Sequence, residues 1–264
     1  MMTNPFLASD ERLDEVNENL RLIQKKQGLT FGTDAYLLAA FVRPFPRAFA
    51  VEIGGGTGIV SLLLAQTNKV RAVCSVEIQP DYADLIGRNA AMNGLSDRVT
   101  PLCADVRDLG PGDLSEAPAL VVANPPYLRV GAGRTNAARE KELARHETAG
   151  GIGDFCACAA RLLGTGGRFF SVYRPERLAD LYAALRANRL EPKRTVFVHA
   201  DRLSPPCAVL TEAVKDASAS LRVLPPLFLY EPRTDPRAAR RMTPETERVY
   251  NTCSFSGQEG LSEK

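Results

Sequence analysis

Four glycines in five residues, Gly54-Gly55-Gly56-Thr57-Gly58, separate the apolar run Ala48–Ile53 from a second apolar run that continues to Gln66. The first run reads as a strand and the second, Thr57 to Gln66, as a helix. Glycines let a chain turn this sharply and bring its backbone close to a ligand. The helix that follows offers its N-terminus to a negative group. A strand, a glycine turn and a helix make a nucleoside-binding unit of an α/β fold.

The rest of the chain repeats the alternation. Strands are expected at Val70–Ile78, Arg98–Ala104, Ala119–Ala123, Arg168–Tyr173, Thr195–His199 and Ala208–Val214. Helices are expected at Ala35–Val42 with Thr33 or Asp34 as N-cap, at Asp81–Met92 with Asn93-Gly94 as its stop, at Asp154–Leu163, and from Pro175 to about Asn188. This pattern implies a seven-stranded, mostly parallel sheet with helices on both faces. The last two strands lack a long helix between them and read as an antiparallel edge hairpin. The charged stretch Glu11 to Arg21 reads as the start of a helix. Three regions follow: an N-terminal extension with a cofactor-covering helix (1–46), the main domain (47–230), and a basic segment with a polar, disordered tail (231–264).

Polar groups stand at four successive strand ends: Glu52, Glu77, Asp105 and Asn124. Open α/β sheets bind ligands at that edge, and a carboxylate after the second strand can accept hydrogen bonds from both ribose hydroxyls. The dinucleotide fingerprint G-x-G-x-x-G/A fails here, because its last position falls on Ile59 or Ser61. The frame that fits is acid-x-G-x-G-x-G, with Glu52, Gly54, Gly56 and Gly58. Asn124-Pro125-Pro126-Tyr127 ends the fourth strand, since two prolines can neither continue a helix nor donate to a sheet ladder. An amide that accepts hydrogen bonds beside a ring that stacks suits an exocyclic amino group on a flat heterocycle. A plain Pro-Pro turn with Tyr127 as an ordinary aromatic is the competing account of those four residues.

The glycine frame resembles the S-adenosylmethionine loop of Rossmann-like methyltransferases. In that family the carboxylate at Asp105 lies near the adenine amino group of the cofactor, and S-adenosylhomocysteine is the product. Asn-Pro-Pro-Tyr resembles their signature for methylating a nitrogen conjugated to a planar system. The resemblance implies that Asn124 and the Pro125 carbonyl accept the two N–H bonds of an adenine N6 amino group and that Tyr127 stacks on the base. Cytosine C5 chemistry would need a cysteine in this loop, and there is none. Gly28 to Ala39, Ala144-Arg145-His146-Glu147, Leu224 to Tyr230 and Thr243-Pro244-Glu245 with Tyr250 are similar to the tRNA1(Val) adenine-37 N6-methyltransferase family. The resemblance spans about residues 12–252 and implies a tRNA substrate with its target base 3′ to the anticodon. It places Thr33 and Asp34 at the cofactor. Glu52 stands where Asp is common, and Gly55 makes the loop unusually rich in glycine.

Arg129, Arg134, Arg139, Lys141 and Arg145 follow the catalytic loop, and Arg129, Arg134 and Arg145 are candidate RNA contacts. Glu140, Glu142 and Glu147 offset those charges, so a solvated loop is the alternative. Lys25, Lys26, Arg237, Arg240 and Arg241 are further candidates for a basic track. The net charge of +2 does not by itself imply nucleic acid. A glutamine N5-methyltransferase shares the Asn-Pro-Pro-Tyr loop. It would usually carry an Arg-Pro-Glu-Thr-like segment where this chain has Phe31-Gly32-Thr33-Asp34, and a large helical domain before the sheet. Guanine N2 enzymes often have Phe in place of Tyr127. A non-catalytic cofactor-binding RNA protein is the reading from another class.

Six cysteines with Cys156-Ala157-Cys158 spacing do not match a CxxC metal or redox pair, and there are only two histidines, His146 and His199. No metal is expected, and a reducing cytoplasm fits best. No stretch has the length and apolarity of a membrane span, and Met1 to Phe6 does not open a secretory signal.

Overall fold

Glu11 to Arg21 folds as one strand, a turn and the start of a second strand rather than as a helix. Strands β1 (Glu11–Asn17) and β2 (Leu20–Lys25) are antiparallel, in a computed structural model that describes residues 7–27, 32–125, 150–233 and 239–255. Glu11 is buried and receives two bonds from Arg88, at 2.7 and 2.8 Å, and one from Lys25 at 3.0 Å. The Arg88 guanidinium, with the Ala8 amide and Lys25, holds the Glu11 carboxyl down at about 2. The helix expectation failed because these partners lie far along the chain, where local pattern carries no information about them. Lys25, an expected RNA contact, is instead paired with Asp10 and Glu11, and Lys26 donates to the Ser9 carbonyl.

Helix α1 (Thr33–Phe41) follows, capped at Gly32 with no side-chain bond rather than at Thr33 or Asp34. Then come β3 (Phe45–Ile53), α2 (Ile59–Gln66), β4 (Val70–Glu77), α3 (Pro80–Met92), β5 (Val99–Cys103) and β6 (Leu120–Ala123). The second half supplies α4 (Ile152–Leu162), β7 (Arg168–Tyr173), α5 (Leu178–Ala187), β8 (Leu190–His199) and β9 (Pro206–Lys215). Two short strands, β10 (Arg222–Val223) and β11 (Leu227–Phe228), and helix α6 (Pro244–Thr252) complete the described chain. The long strands run in the order β5-β4-β3-β6-β7-β9-β8. All are parallel except β9, which pairs antiparallel with both β7 and β8. The expected hairpin is therefore present. Strands β10 and β11 add to β8 in parallel and bring the sheet to nine.

Successive side chains on each strand point to opposite faces. Ala50, Leu120, Val122, Phe170 and Val172 pack with α1 and α2 in one cluster. Val51, Ile53, Val121, Ala123 and Phe169 pack with α4 and α5 in the other. Burying side chains of this size contributes about 1.5–3 kcal/mol each.

Helix α6 lies in the basic C-terminal segment, for which no helix was expected. Thr243 caps it by accepting from the Thr246 amide, Pro244 opens it, and Glu245 and Glu247 favour its N-terminal dipole. Val249 is buried, and Tyr250 stacks on Tyr36 of α1 with ring centroids 4.7 Å apart. Thr243-Pro244-Glu245 was thus a legible start signal. Among the described residues, no helix is long and apolar enough to cross a membrane.

Candidate active site

Strand register lines up the polar strand ends. Ala123 of β6 is opposite Ile53 of β3, Ile53 opposite Val76 of β4, and Val76 opposite Leu102 of β5. Asn124, Gly54, Glu77 and Cys103 therefore form one row at the C-terminal edge of four adjacent parallel strands, with Asp105 two residues beyond. Asn124 is half-buried and Pro125 buried. Pro126, Tyr127, Arg129, Arg134, Arg139, Lys141, Arg145 and His146 lie outside the described residues, as do Gly28 to Phe31 and Arg237.

The glycine loop is shaped by three residues in the left-handed region: Gly54 (φ 76°), Gly56 (φ 54°) and Gly58 (φ 82°), which caps α2. A side chain at Gly54 would strike the Phe155 ring at 3.1 Å, and one at Gly58 would strike Ile86 at 3.1 Å. Nothing lies within 4 Å of the Cβ position at Gly56. The loop is thus packed from beneath at Gly54 and Gly58 and open above at Gly56, which is the shape of a cradle.

Glu77 is buried at the edge of this cradle. One carboxylate oxygen accepts from the Gly56 amide at 2.9 Å and the other from the Gln79 amide at 3.0 Å. A carboxylate has about four lone-pair sites, so these two bonds orient it and leave acceptor capacity for ribose hydroxyls. Asp105 accepts from the Arg107 amide at 2.9 Å and pairs with its guanidinium, which holds the Asp105 carboxyl below its ordinary range.

Glu52 is placed differently from the expectation of a cofactor contact. It is fully enclosed beneath the loop, where one oxygen accepts from the Ser61 amide at 3.0 Å, the Ser75 hydroxyl at 3.0 Å and the Ser61 hydroxyl. Burial pushes its carboxyl up to about 7, against the pull of those hydrogen bonds. Glu52 braces α2 against β3 and β4.

Helix α1 aims its N-terminus at the same sheet edge. The buried Lys69, just before β4, donates to the carbonyls of Ala39 (2.8 Å), Ala40 (2.9 Å) and Val42 (2.6 Å). That ties the C-terminus of α1 to the N-terminal edge of the sheet; at its other end Thr33 hydrogen-bonds Tyr250 of α6 and Asp34 lies near Tyr250 and Cys207 at the start of β9. Asn89 of α3 was not legible as a site residue. Its amide donates to Thr57 (3.0 Å) and Ile23 (3.1 Å), and its oxygen accepts from the Ile23 amide at 2.7 Å. Ser61, Ser75, Gln79 and Phe155 were likewise missed, since no local signal marks a residue that supports a loop from a distant element.

Burial pushes the thiols of Cys74 and Cys158 up to about 11 and that of Cys156 to about 12, so none is poised as a nucleophile. Among the described residues, no group of three His, Cys, Asp or Glu is arranged to hold a metal ion.

No family model matches the chain. A tRNA1(Val) (adenine(37)-N6)-methyltransferase of Porphyromonas gingivalis is 32% identical over an alignment 176 positions long that covers 62% of this chain and 68% of that protein. A protein of the same name from Pedobacter heparinus is 26% identical over 204 residues, covering 77% of this chain and 81% of its own. Among solved structures, a predicted O-methyltransferase from Agrobacterium tumefaciens superposes with a TM-score of 0.66 at 21% identity. The match covers 84% of this chain and 98% of that one.

Proposed function

The chain belongs to the tRNA1(Val) (adenine(37)-N6)-methyltransferase family, and from that premise we propose that it methylates the N6 amino group of an adenine in tRNA, next to the anticodon, using S-adenosylmethionine. The observation that carries this reading is the row of Gly54, Glu77 and Asn124 on adjacent strands. It sets an amide acceptor beside a cradle shaped for a nucleoside.

The cradle suits the cofactor: Gly56 leaves open space and Glu77 presents an oriented carboxylate, and Thr33 and Asp34 of α1 would add contacts to it. Glu77 would hold the ribose hydroxyls, Asp105 would lie by the adenine amino group, and the backbone of Gly54 to Gly58 would support the amino-acid end. When bound, S-adenosylmethionine supplies an electrophilic methyl group on a sulfonium. Adenine N6 is a poor nucleophile because its lone pair is delocalised into the ring. The Asn124 oxygen and the Pro125 carbonyl accept its two N–H bonds and favour a pyramidal nitrogen with a localised lone pair. The same acceptors stabilise positive charge as it develops on that nitrogen, as oxyanion-hole donors do for negative charge. Tyr127 stacks on the base and fixes its angle, and Pro125-Pro126 stiffen the loop. No group need remove a proton before transfer, because the methylated nitrogen is acidic enough to lose one to water afterwards. Arg129, Arg134 and Arg145 contact RNA phosphates. Six unpaired cysteines support a reducing compartment, the cytoplasm.

The test is transfer of labelled methyl into total RNA from a strain lacking the gene, followed by nucleoside analysis. N6-methyladenosine in tRNA is the expected product. Label in protein and none in RNA would replace this reading with glutamine methylation.

A further inference from the structure

We propose that a raised rim carrying Arg202, Phe228, Tyr230 and Arg240 binds the phosphate backbone of the substrate RNA beside its target base. The inference rests on the tRNA reading above and assigns its second contact surface.

Strands β7 and β8 are both antiparallel to β9, so β8 runs parallel to β7 and ends on the same sheet edge as Asn124. Ala123 aligns across the strands with Ser171, Thr211 and Thr195. His199 and its partner Phe228 thus stand three residues further along than Asn124. At about 3.3 Å per residue and about 4.8 Å per strand, the rim rises roughly 10 Å above the Asn124 row and begins roughly 14 Å to its side. RNA with its target base at Asn124 and its backbone crossing toward β8 would meet this rim.

The rim is built rather than loose. The amides of Leu229 and Tyr230 donate to the carbonyls of His199 and Ala200, each at 2.9 Å. The Glu231 amide donates to Arg241 at 2.9 Å and the Thr243 amide to Leu229 at 3.1 Å. The Phe228 carbonyl accepts from the hydroxyls of Thr243 (2.7 Å) and Thr246 (3.1 Å). On this frame the Arg202 guanidinium lies over the Phe228 ring at 5.4 Å and the Arg240 guanidinium over Tyr230 at 5.0 Å.

A ring under a guanidinium restrains it without using its N–H donors, which remain available for a phosphate. Both arginines are exposed, and among the described residues neither forms an ion pair with a carboxylate. The nearby Asp201 is the competing anion: its carboxyl accepts from the Ser204 hydroxyl at 2.8 Å and the Leu203 amide at 3.0 Å, which hold it below its ordinary range, and the charge of Arg240 adds a smaller pull without closing to an ion pair. Arg241 adds a further exposed cation, and Glu231 opposes it. Two arginines held outward on a rigid edge, level with neither cofactor cradle nor core, match a polyanion that passes over the site.

The experiment uses the full chain and the double variant R202Q/R240Q with a tRNA transcript. Binding is read by fluorescence anisotropy across a salt series, alongside KM for tRNA and affinity for S-adenosylmethionine. The double variant should bind tRNA about tenfold more weakly near physiological salt. Its slope of log K against log salt should be shallower by about 1–2, the loss expected for two phosphate contacts. Cofactor affinity should not change, which excludes misfolding. Equal tRNA affinity and equal salt slope would overturn the rim. Weaker binding by the variant, with no methyl transfer to RNA by the wild type, would keep the rim and overturn the N6 reading. Absence of tRNA binding by the wild type would overturn both.

Discussion

The side-chain amide of Asn89 donates to the carbonyl of Thr57 at 3.0 Å, holding the glycine loop from behind. The same side chain exchanges two bonds with the backbone of Ile23, so the N-terminal hairpin and the loop share one buried support. Asn89→Ala leaves buried backbone groups without partners and should cost about 2–4 kcal/mol of stability. Affinity for S-adenosylmethionine should fall with it. Thermal melts and titration calorimetry check both, and a stable variant with normal affinity would show that the loop holds its shape unaided.

Glu52 gives the fold a pH dependence of definite sign. Its folded carboxyl titrates at about 7, above the ordinary value of 4.5. Between those values the folded state binds more protons than the unfolded one, so stability falls as pH rises through that window. Glu52→Gln keeps a neutral acceptor for Ser61 and Ser75. It should match the wild type near pH 4 and exceed it by up to about 3 kcal/mol at pH 8. Denaturant melts at the two pH values decide the matter.

Asn124 and Glu77 should separate turnover from cofactor binding. Asn124→Ala should lower kcat by about a hundredfold or more while leaving affinity for S-adenosylmethionine within a few-fold, as expected for an acceptor used in the transition state. Glu77→Ala should weaken the cofactor instead. Equal losses of both quantities in Asn124→Ala would make it a cofactor ligand only.

Lys69 stands in for the hydrogen bonds that end α1. Replacing it with Met removes three donors from buried carbonyls at Ala39, Ala40 and Val42 and should cost about 2–4 kcal/mol. Burial pushes its ammonium down to about 8. The wild type should therefore gain stability as pH rises from about 8 to 10.5, where the unfolded state still binds the proton. Lys69→Met should lack that rise in urea melts.

The glycine turn, the double proline and the acids at strand ends were readable because each acts through its own neighbours. Positive φ at Gly54, Gly56 and Gly58 and the stop after Ala123 are local necessities, and once those strands are parallel their ends must share one edge. Local pattern misled at Glu11 to Arg21, where an arginine on α3 takes the charge. It was silent about Glu52 lying under the loop rather than in it.

By itself the sequence determined the α/β alternation, the cradle and the amide beside it, since these depend on backbone conformations that only certain residues adopt. Only the tertiary structure decided what supports them. Asn89 reaches a strand 66 residues away and Lys69 a helix end 30 residues away, and which polar group satisfies a buried partner is settled by packing across such distances.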